Sequence, residues 1–189
     1  EGERRAGTVG FPLPRVELRI TEPATGKPLP QGDTGMIEVR GPNVFKGYWR
    51  MPEKTAEEFR ADGFFITGDL GLIDRDGYVS IVGRGKDLII TGGFNVYPKE
   101  IENEIDALPG VIESAVIGVP HPDFGEGVVA VVTARSPLPP ESEIIATLAK
   151  SLARFKVPKR VFEVTELPRN TMGKVQKAEL RKRYAGVFT

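Results

Sequence analysis

An α+β chain in two parts is what this sequence predicts: a β-rich stretch to about residue 83, then helices and strands in alternation. Apolar and polar residues alternate in Val16-Glu17-Leu18-Arg19-Ile20 and in Met36-Ile37-Glu38-Val39-Arg40, the period of a strand with one buried face. Asp76-Gly77 separates Leu72-Ile73-Asp74 from Tyr78-Val79-Ser80-Ile81-Val82, a hairpin signal because glycine accepts the positive φ of tight turns. After Gly83 the period lengthens, with Ile101, Ile105 and Leu108 recurring on one helix face.

In chain order, the strands near 16–20 and 36–40 precede one helix that Pro52 opens and that runs through Glu57, Glu58 and Phe59, since proline suits the first helical turn. The hairpin over 72–82 closes this part. A second helix begins at Pro98 and stops at Pro109-Gly110. Strands over 113–119 and 128–133 follow, then a helix from about Glu141 with Ile144, Ile145, Leu148 and Leu152 facing inward. A strand over 160–164 and a short helix over 176–184 complete the pattern. Antiparallel strands with helices gathered on one side fit an α+β layer better than a doubly wound sheet.

The 189 residues are 40% hydrophobic, which supplies a real core. Twenty-six basic and twenty-six acidic residues cancel, so no whole-molecule field draws the chain to nucleic acid or an anionic membrane. The absence of cysteine removes disulfides, thiolate nucleophiles and cysteine–zinc sites, and the lone His121 cannot build a metal cluster. No run approaches the roughly 18 to 20 apolar residues that span a bilayer, and Glu1-Gly2-Glu3-Arg4-Arg5 has no signal-peptide core. A soluble intracellular protein is expected, and a start at Glu rather than Met suggests a piece of a longer polypeptide.

Three motifs carry the chemistry. They are Thr67-Gly68-Asp69, the run Gly83-Arg84-Gly85-Lys86-Asp87-Leu88-Ile89-Ile90-Thr91-Gly92-Gly93-Phe94-Asn95-Val96-Tyr97-Pro98-Lys99-Glu100, and Pro168-Arg169-Asn170-Thr171-Met172-Gly173-Lys174. In this order they resemble the adenylate-forming enzymes, the family of acyl-CoA synthetases, luciferases and peptide-synthetase adenylation domains. The resemblance covers essentially the whole chain. Val44-Phe45-Lys46-Gly47-Tyr48-Trp49-Arg50-Met51-Pro52-Glu53-Lys54-Thr55, the run from Gly92 to Glu102, and Val119-Pro120-His121-Pro122-Asp123-Phe124-Gly125-Glu126-Gly127 resemble the malonyl-CoA synthetases within it.

The resemblance implies an ATP-dependent ligase that makes an acyl-AMP and passes the acyl group to coenzyme A, with malonate or methylmalonate as the acid. Residues 1–83 would then be the β-rich end of a large amino-terminal AMP-binding domain, and 84–189 a small mobile carboxyl-terminal domain hinged near Lys86. Lys174 would be the catalytic lysine of adenylation, where an ammonium offsets the repulsion between carboxylate and α-phosphate. Asp69 would accept hydrogen bonds from the ribose hydroxyls, Arg84 would hold ribose or phosphate, and Gly92 and Gly93 would border the pantetheine of coenzyme A. Magnesium would travel with ATP on ligands outside this chain, so none of these residues is assigned to a metal. The triphosphate loop and acid pocket belong to the missing amino-terminal part, so the chain alone should be inactive. The compartment would be the bacterial cytoplasm or, in a eukaryote, the mitochondrial matrix.

Each residue also has a plainer reading. Lys174 suits a solvated basic tail, Asp69 an ordinary loop turn, and Arg84 a surface ion pair with Asp87. Gly83 and Gly85 suit a tight turn between domains with no motion, and Thr91-Gly92-Gly93 a glycine bulge. Glu100 and Glu102 read as carboxylates opposing a helix dipole, His121 as a loop residue, Trp49 as core packing, and Arg181-Lys182-Arg183 as a solvated helix face with the 3′-phosphate of coenzyme A as another partner. The alternatives to a malonyl-CoA synthetase are another acyl or aryl acid–CoA ligase, a peptide-synthetase adenylation domain, or a noncatalytic module that binds nucleotide or coenzyme A.

Overall fold

In the computed structural model, which describes residues 3–189, the chain falls into two units, one ending at Lys86 and the other running from Asp87 to Thr189. Alternating apolar residues in the first unit fold as an antiparallel meander of β1 (Glu17–Thr21), β2 (Gly35–Arg40), β3 (Phe65–Ile73) and β4 (Val79–Arg84). Helix α1 (Pro52–Glu58) carries proline in its first turn and buries no residue. The apolar core of this sheet is small, with Ile20, Ile37 and Val79 buried and Leu18, Leu29, Val39 and Ile73 partly so.

Glu38 breaks the alternation that predicts a solvent-facing side chain, because its carboxylate is fully buried. Arg19 reaches its Oε2 from Nη2 at 2.7 Å, Arg60 Nε donates to Oε1 at 2.8 Å, and Thr21 Oγ1 donates to Oε1 at 3.0 Å. A carboxylate removed from water must be met by such partners. Arg19 also holds Asp62 at 2.7 Å, and this hydrogen bond, together with a backbone N–H, keeps the Asp62 carboxyl below its usual range against some desolvation.

The second unit holds a five-stranded sheet: β5 (Ile89–Thr91), β6 (Phe94–Val96), β7 (Val111–His121), β8 (Gly125–Ala134) and β9 (Arg160–Glu163), with β8 flanked by β7 and β5. Helices α2 (Pro98–Asp106), α3 (Glu141–Leu148) and α4 (Lys177–Tyr184) pack on it. Two expectations are corrected here. The helices do not gather on one side: Ile101, Ile105, Ile144 and Leu148 join Val128, Ala130 and Val132 in one cluster, while Leu180 and Tyr184 of α4 cover Ala115, Ile117, Val129 and Val131 on the other face. The cause is visible in β7 and β8, whose middles are apolar at consecutive positions, so both faces need cover. Nor is the sheet wholly antiparallel, since β9 pairs in parallel with β8 after the crossover through α3.

Thr91-Gly92-Gly93, whose plainer reading is a glycine bulge, belongs instead to a hairpin of β5 and β6, with Thr91 opposite Phe94. Gly92 and Gly93 are its two tip residues, at φ of 56° and 81°, the left-handed conformation a two-residue turn requires. Trp49, expected in the core, is 84% exposed. It stands at a loop beside Arg50, at φ 54°, while Phe45 packs edge-on against Tyr48, Phe59 and Phe65. Among the described residues no helix is long and apolar enough to cross a membrane.

Candidate functional site

In the first unit the sheet brings Asp69 and Arg84 together. They are opposite each other in the β3–β4 register, and Arg84 Nε lies 3.0 Å from Asp69 Oδ1. Gly68, at φ 74°, turns the backbone just before Asp69. Thr67 Oγ1 donates to the Ile37 carbonyl at 2.8 Å and accepts the Asp69 N–H at 3.1 Å, fixing the segment that carries the carboxylate. A cleft of about 520 Å³ opens beside it, lined by Tyr48, Lys54, Glu58, Thr67, Arg84 and Lys86 among others. The guanidinium is half exposed and the carboxylate a quarter exposed, so the pair presents a fixed acceptor and a fork of donors to a polar ligand. The ion pair expected between Arg84 and Asp87 does not form: Asp87 takes Arg181 at 2.5 Å, which also removes Arg181 from the solvated face assigned to it. Lys86 lies in the single 3₁₀ turn Gly85–Asp87 that follows β4.

Lys174 belongs to the second unit and sits on an exposed loop ahead of α4. Asn170 organises that loop: its Oδ1 accepts the N–H of Met172 at 3.0 Å and of Lys174 at 2.9 Å. Its backbone exchanges bonds with the chain ahead, Asn170 N–H to Lys174 carbonyl at 3.0 Å and Gly173 N–H to Asn170 carbonyl at 2.9 Å. Gly173 takes φ 77°, and Arg169 donates to its carbonyl at 2.6 Å while pairing with Glu113 of β7. Among the described residues the Lys174 ammonium has no ion-pair or hydrogen-bond partner, the bond to the Asn170 side chain being made by the Lys174 backbone N–H. Sequence reading named the lysine and passed over its support; the signal was Asn170, since Asn side chains readily bond backbone N–H groups a few residues on.

Gly92 and Gly93 are exposed at the β5–β6 tip. Gly92 N–H donates to the Phe124 carbonyl at 2.9 Å. A Cβ on Gly93 would meet nothing within 4 Å, so only its φ calls for glycine and its open side leaves room for a slender ligand.

Three other expectations change. Glu102 is not in the first turn of α2; it is buried and accepts the Val116 N–H at 2.9 Å and the Lys177 ammonium at 2.6 Å, joining α2 to β7 and α4. Glu100 is in the first turn and also pairs with Lys156. His121 ends strand β7, its ring 4.7 Å from Phe124 and 4.8 Å from Phe188, because the ladder runs on through Pro120 to pair His121 with Gly125 before Pro122. No group of three or more metal-ligating side chains occurs among the described residues.

The first unit thus presents a carboxylate–guanidinium pair on two adjacent strands, and the second, taken by itself, presents a lysine on a built loop. Comparison gives the class. Residues 100–174 match the family model described as AMP-binding enzyme C-terminal domain, and residues 1–49 match the one described as AMP-binding enzyme. The chain belongs to this adenylate-forming family. It is 46% identical over 181 residues to a feruloyl-CoA synthase of Amycolatopsis, covering 95% of the chain and 36% of that relative. It is 42% identical over 193 residues to a malonate–CoA ligase of Arabidopsis thaliana, covering 96% and 31%. ATP-bound MatB from Rhodopseudomonas palustris superposes with a TM-score of 0.94 at 65% identity, over all of this chain and 38% of the other. The apo form of MatB superposes with a TM-score of 0.74 at 66% identity over the same shares. The chain thus spans about a third of the length of the relatives it matches.

Proposed function

We propose that this chain is the carboxyl-terminal portion of an AMP-forming acid–CoA ligase, with Lys174 acting in adenylation. The observation that carries the reading is an exposed ammonium with no partner among the described residues, held on a loop fastened by four hydrogen bonds to Asn170. In the first half-reaction a carboxylate oxygen of the acid bonds to the α-phosphorus of ATP as the bond to pyrophosphate breaks. Charge builds on the phosphoryl oxygens, and a positioned cation lowers that barrier. In the second, the coenzyme A thiol adds to the acyl carbon, loses its proton, and AMP leaves. Asp69 would accept from the ribose hydroxyls while Arg84 holds Asp69 in place or reaches phosphate. Gly92 and Gly93 would let pantetheine pass close to the backbone. Magnesium would arrive with ATP, and no step here is assigned to it.

A hinge at Lys86 serves both half-reactions on this reading. The ATP-bound and apo structures of one relative match the chain with TM-scores of 0.94 and 0.74 at nearly equal identity. That relative therefore takes up two arrangements over the region covered, which supports reorientation between the steps. The need for ATP and coenzyme A together fits the cytoplasm, or the mitochondrial matrix in a eukaryote.

Malonate or methylmalonate is the acid we favour, on the motifs of residues 44–55, 92–102 and 119–127 and the likeness to a malonate–CoA ligase. The second reading is a different acid, favoured by identities of 46% and 42% to relatives named for ferulate and sulfoacetate. The test uses the full-length enzyme and acid-dependent pyrophosphate release from malonate, methylmalonate, ferulate and sulfoacetate, with wild type and Lys174→Ala. Lys174→Ala should lose about 10²–10³-fold in pyrophosphate release and keep thioester formation from preformed acyl-AMP. Survival of both half-reactions removes Lys174 from the chemistry; preference for another acid leaves the mechanism and changes the substrate.

A further inference from the structure

We propose that Asn170 is a positioning residue for adenylation, and that Arg169 with Glu113 anchors the same loop to the sheet; this rests on the role given to Lys174. The loop is fastened more firmly than its burial explains. Residues 169–174 are all exposed, and exposed polar contacts contribute little to folding. Yet Asn170 alone makes four hydrogen bonds there, two of them with the backbone of Lys174 itself. Arg169 then ties the Gly173 carbonyl to Glu113, on a strand whose neighbouring Ala115 and Ile117 are fully buried. A rigid strand is thereby linked in two steps to the residue before Lys174.

The need for such a clamp follows from the side chain it serves. A lysine ammonium hangs on four carbons with several rotatable bonds, so its reach is reproducible only if its Cα is fixed. Misplacement of a reacting group by about 1 Å can cost on the order of 10²-fold in rate. The Asn170 carboxamide oxygen fixes the Lys174 N–H directly, and Gly173 supplies the left-handed turn that aims the next residue outward. Asn170 acts through Lys174 and need not touch substrate.

The experiment is a double-mutant cycle in the full-length enzyme, which isolates the coupling of the two residues. Asn170→Ala should lower kcat for pyrophosphate formation about 10- to 100-fold, leave KM for ATP and acid nearly unchanged, and spare thioester formation from preformed acyl-AMP. Asn170→Asp keeps an acceptor for both N–H groups and should restore most of the rate. In a Lys174→Ala background the same Asn170→Ala change should add less than about 2-fold, since the group it positions is gone. Glu113→Gln, which weakens the anchor from outside the loop, should give a smaller loss of the same kind. An equal Asn170→Ala loss with and without Lys174, equal damage to both half-reactions, or no rescue by Asp each overturns the proposal. If Lys174→Ala collapses adenylation while Asn170→Ala stays fully active, positioning alone falls; if Lys174→Ala is active, the functional reading falls with it.

Discussion

Two buried carboxylates, Glu38 in the first unit and Glu102 in the second, answer the same physical demand in opposite surroundings. Glu38 sits beside a core of three buried apolar residues and is met by two guanidiniums and a hydroxyl. Glu102 lies against a cluster of twelve buried residues and needs only one ammonium and one backbone N–H. The β-rich unit has little apolar area to specify its packing, so a charge network ties β1, β2 and the residues after α1 together. In the second unit apolar burial does that work, and the ion pair joins elements already held by their faces. Buried ion pairs are costly to break even where their net contribution is small.

Breaking the network should therefore cost most. Glu38→Ala leaves the Arg19 and Arg60 guanidiniums facing each other without their shared partner, and about 3–5 kcal/mol of stability should be lost. Amide exchange would show this as lost protection in β1, β2 and β3; protection lost equally in β7 and β8 would contradict a confined effect. Leu148→Ala, at a site 1% exposed in the larger cluster, should cost about 2–5 kcal/mol through lost transfer energy and a cavity, with loss of protection in α3 and β8. A cost under 1 kcal/mol would mean that this core relaxes freely and that the contrast between the units is overstated.

The smallest effect is on pH dependence. The Asp62 carboxyl is held low by its hydrogen bond to Arg19, so the folded state releases its proton at lower pH than the unfolded chain does. Its contribution is present above the ordinary carboxylate range and is lost as pH falls through that range toward the lower folded value. Asp62→Asn should flatten the acid limb of the stability curve slightly; an unchanged limb would leave Asp62 outside the network.

Most of the elements were legible because their signals are local. Pro52 and Pro98 mark helix starts, Asp76-Gly77 marks a turn, and alternation marks β1 and β2. Partner and direction are not local, which is why β9 was not seen as a parallel neighbour of β8. The position of α4 was recoverable, since Val128 to Val132 is apolar without interruption and a strand so made needs two covered faces. Strands of three residues, as in β5 and β6, are too short to show a period. At the candidate site, motif resemblance pointed to Lys174, Asp69 and Arg84, and Asp69 and Arg84 meet because of a register between strands that no local pattern encodes. Trp49 was misread because an aromatic residue among aromatic neighbours looks like core, whereas the tip of a loop faces water.

The cover that α4 gives to one face of the second sheet has a consequence during synthesis. Strands β7 and β8 leave the ribosome before residues 177–184, so Ile117, Val119, Val129 and Val131 lack the cover of α4 in the interval. Exposed apolar surface of that kind is where nascent chains aggregate. The last helix of the unit is therefore a deadline as well as a lid, and a ribosome stalled between β9 and α4 would display a half-covered sheet.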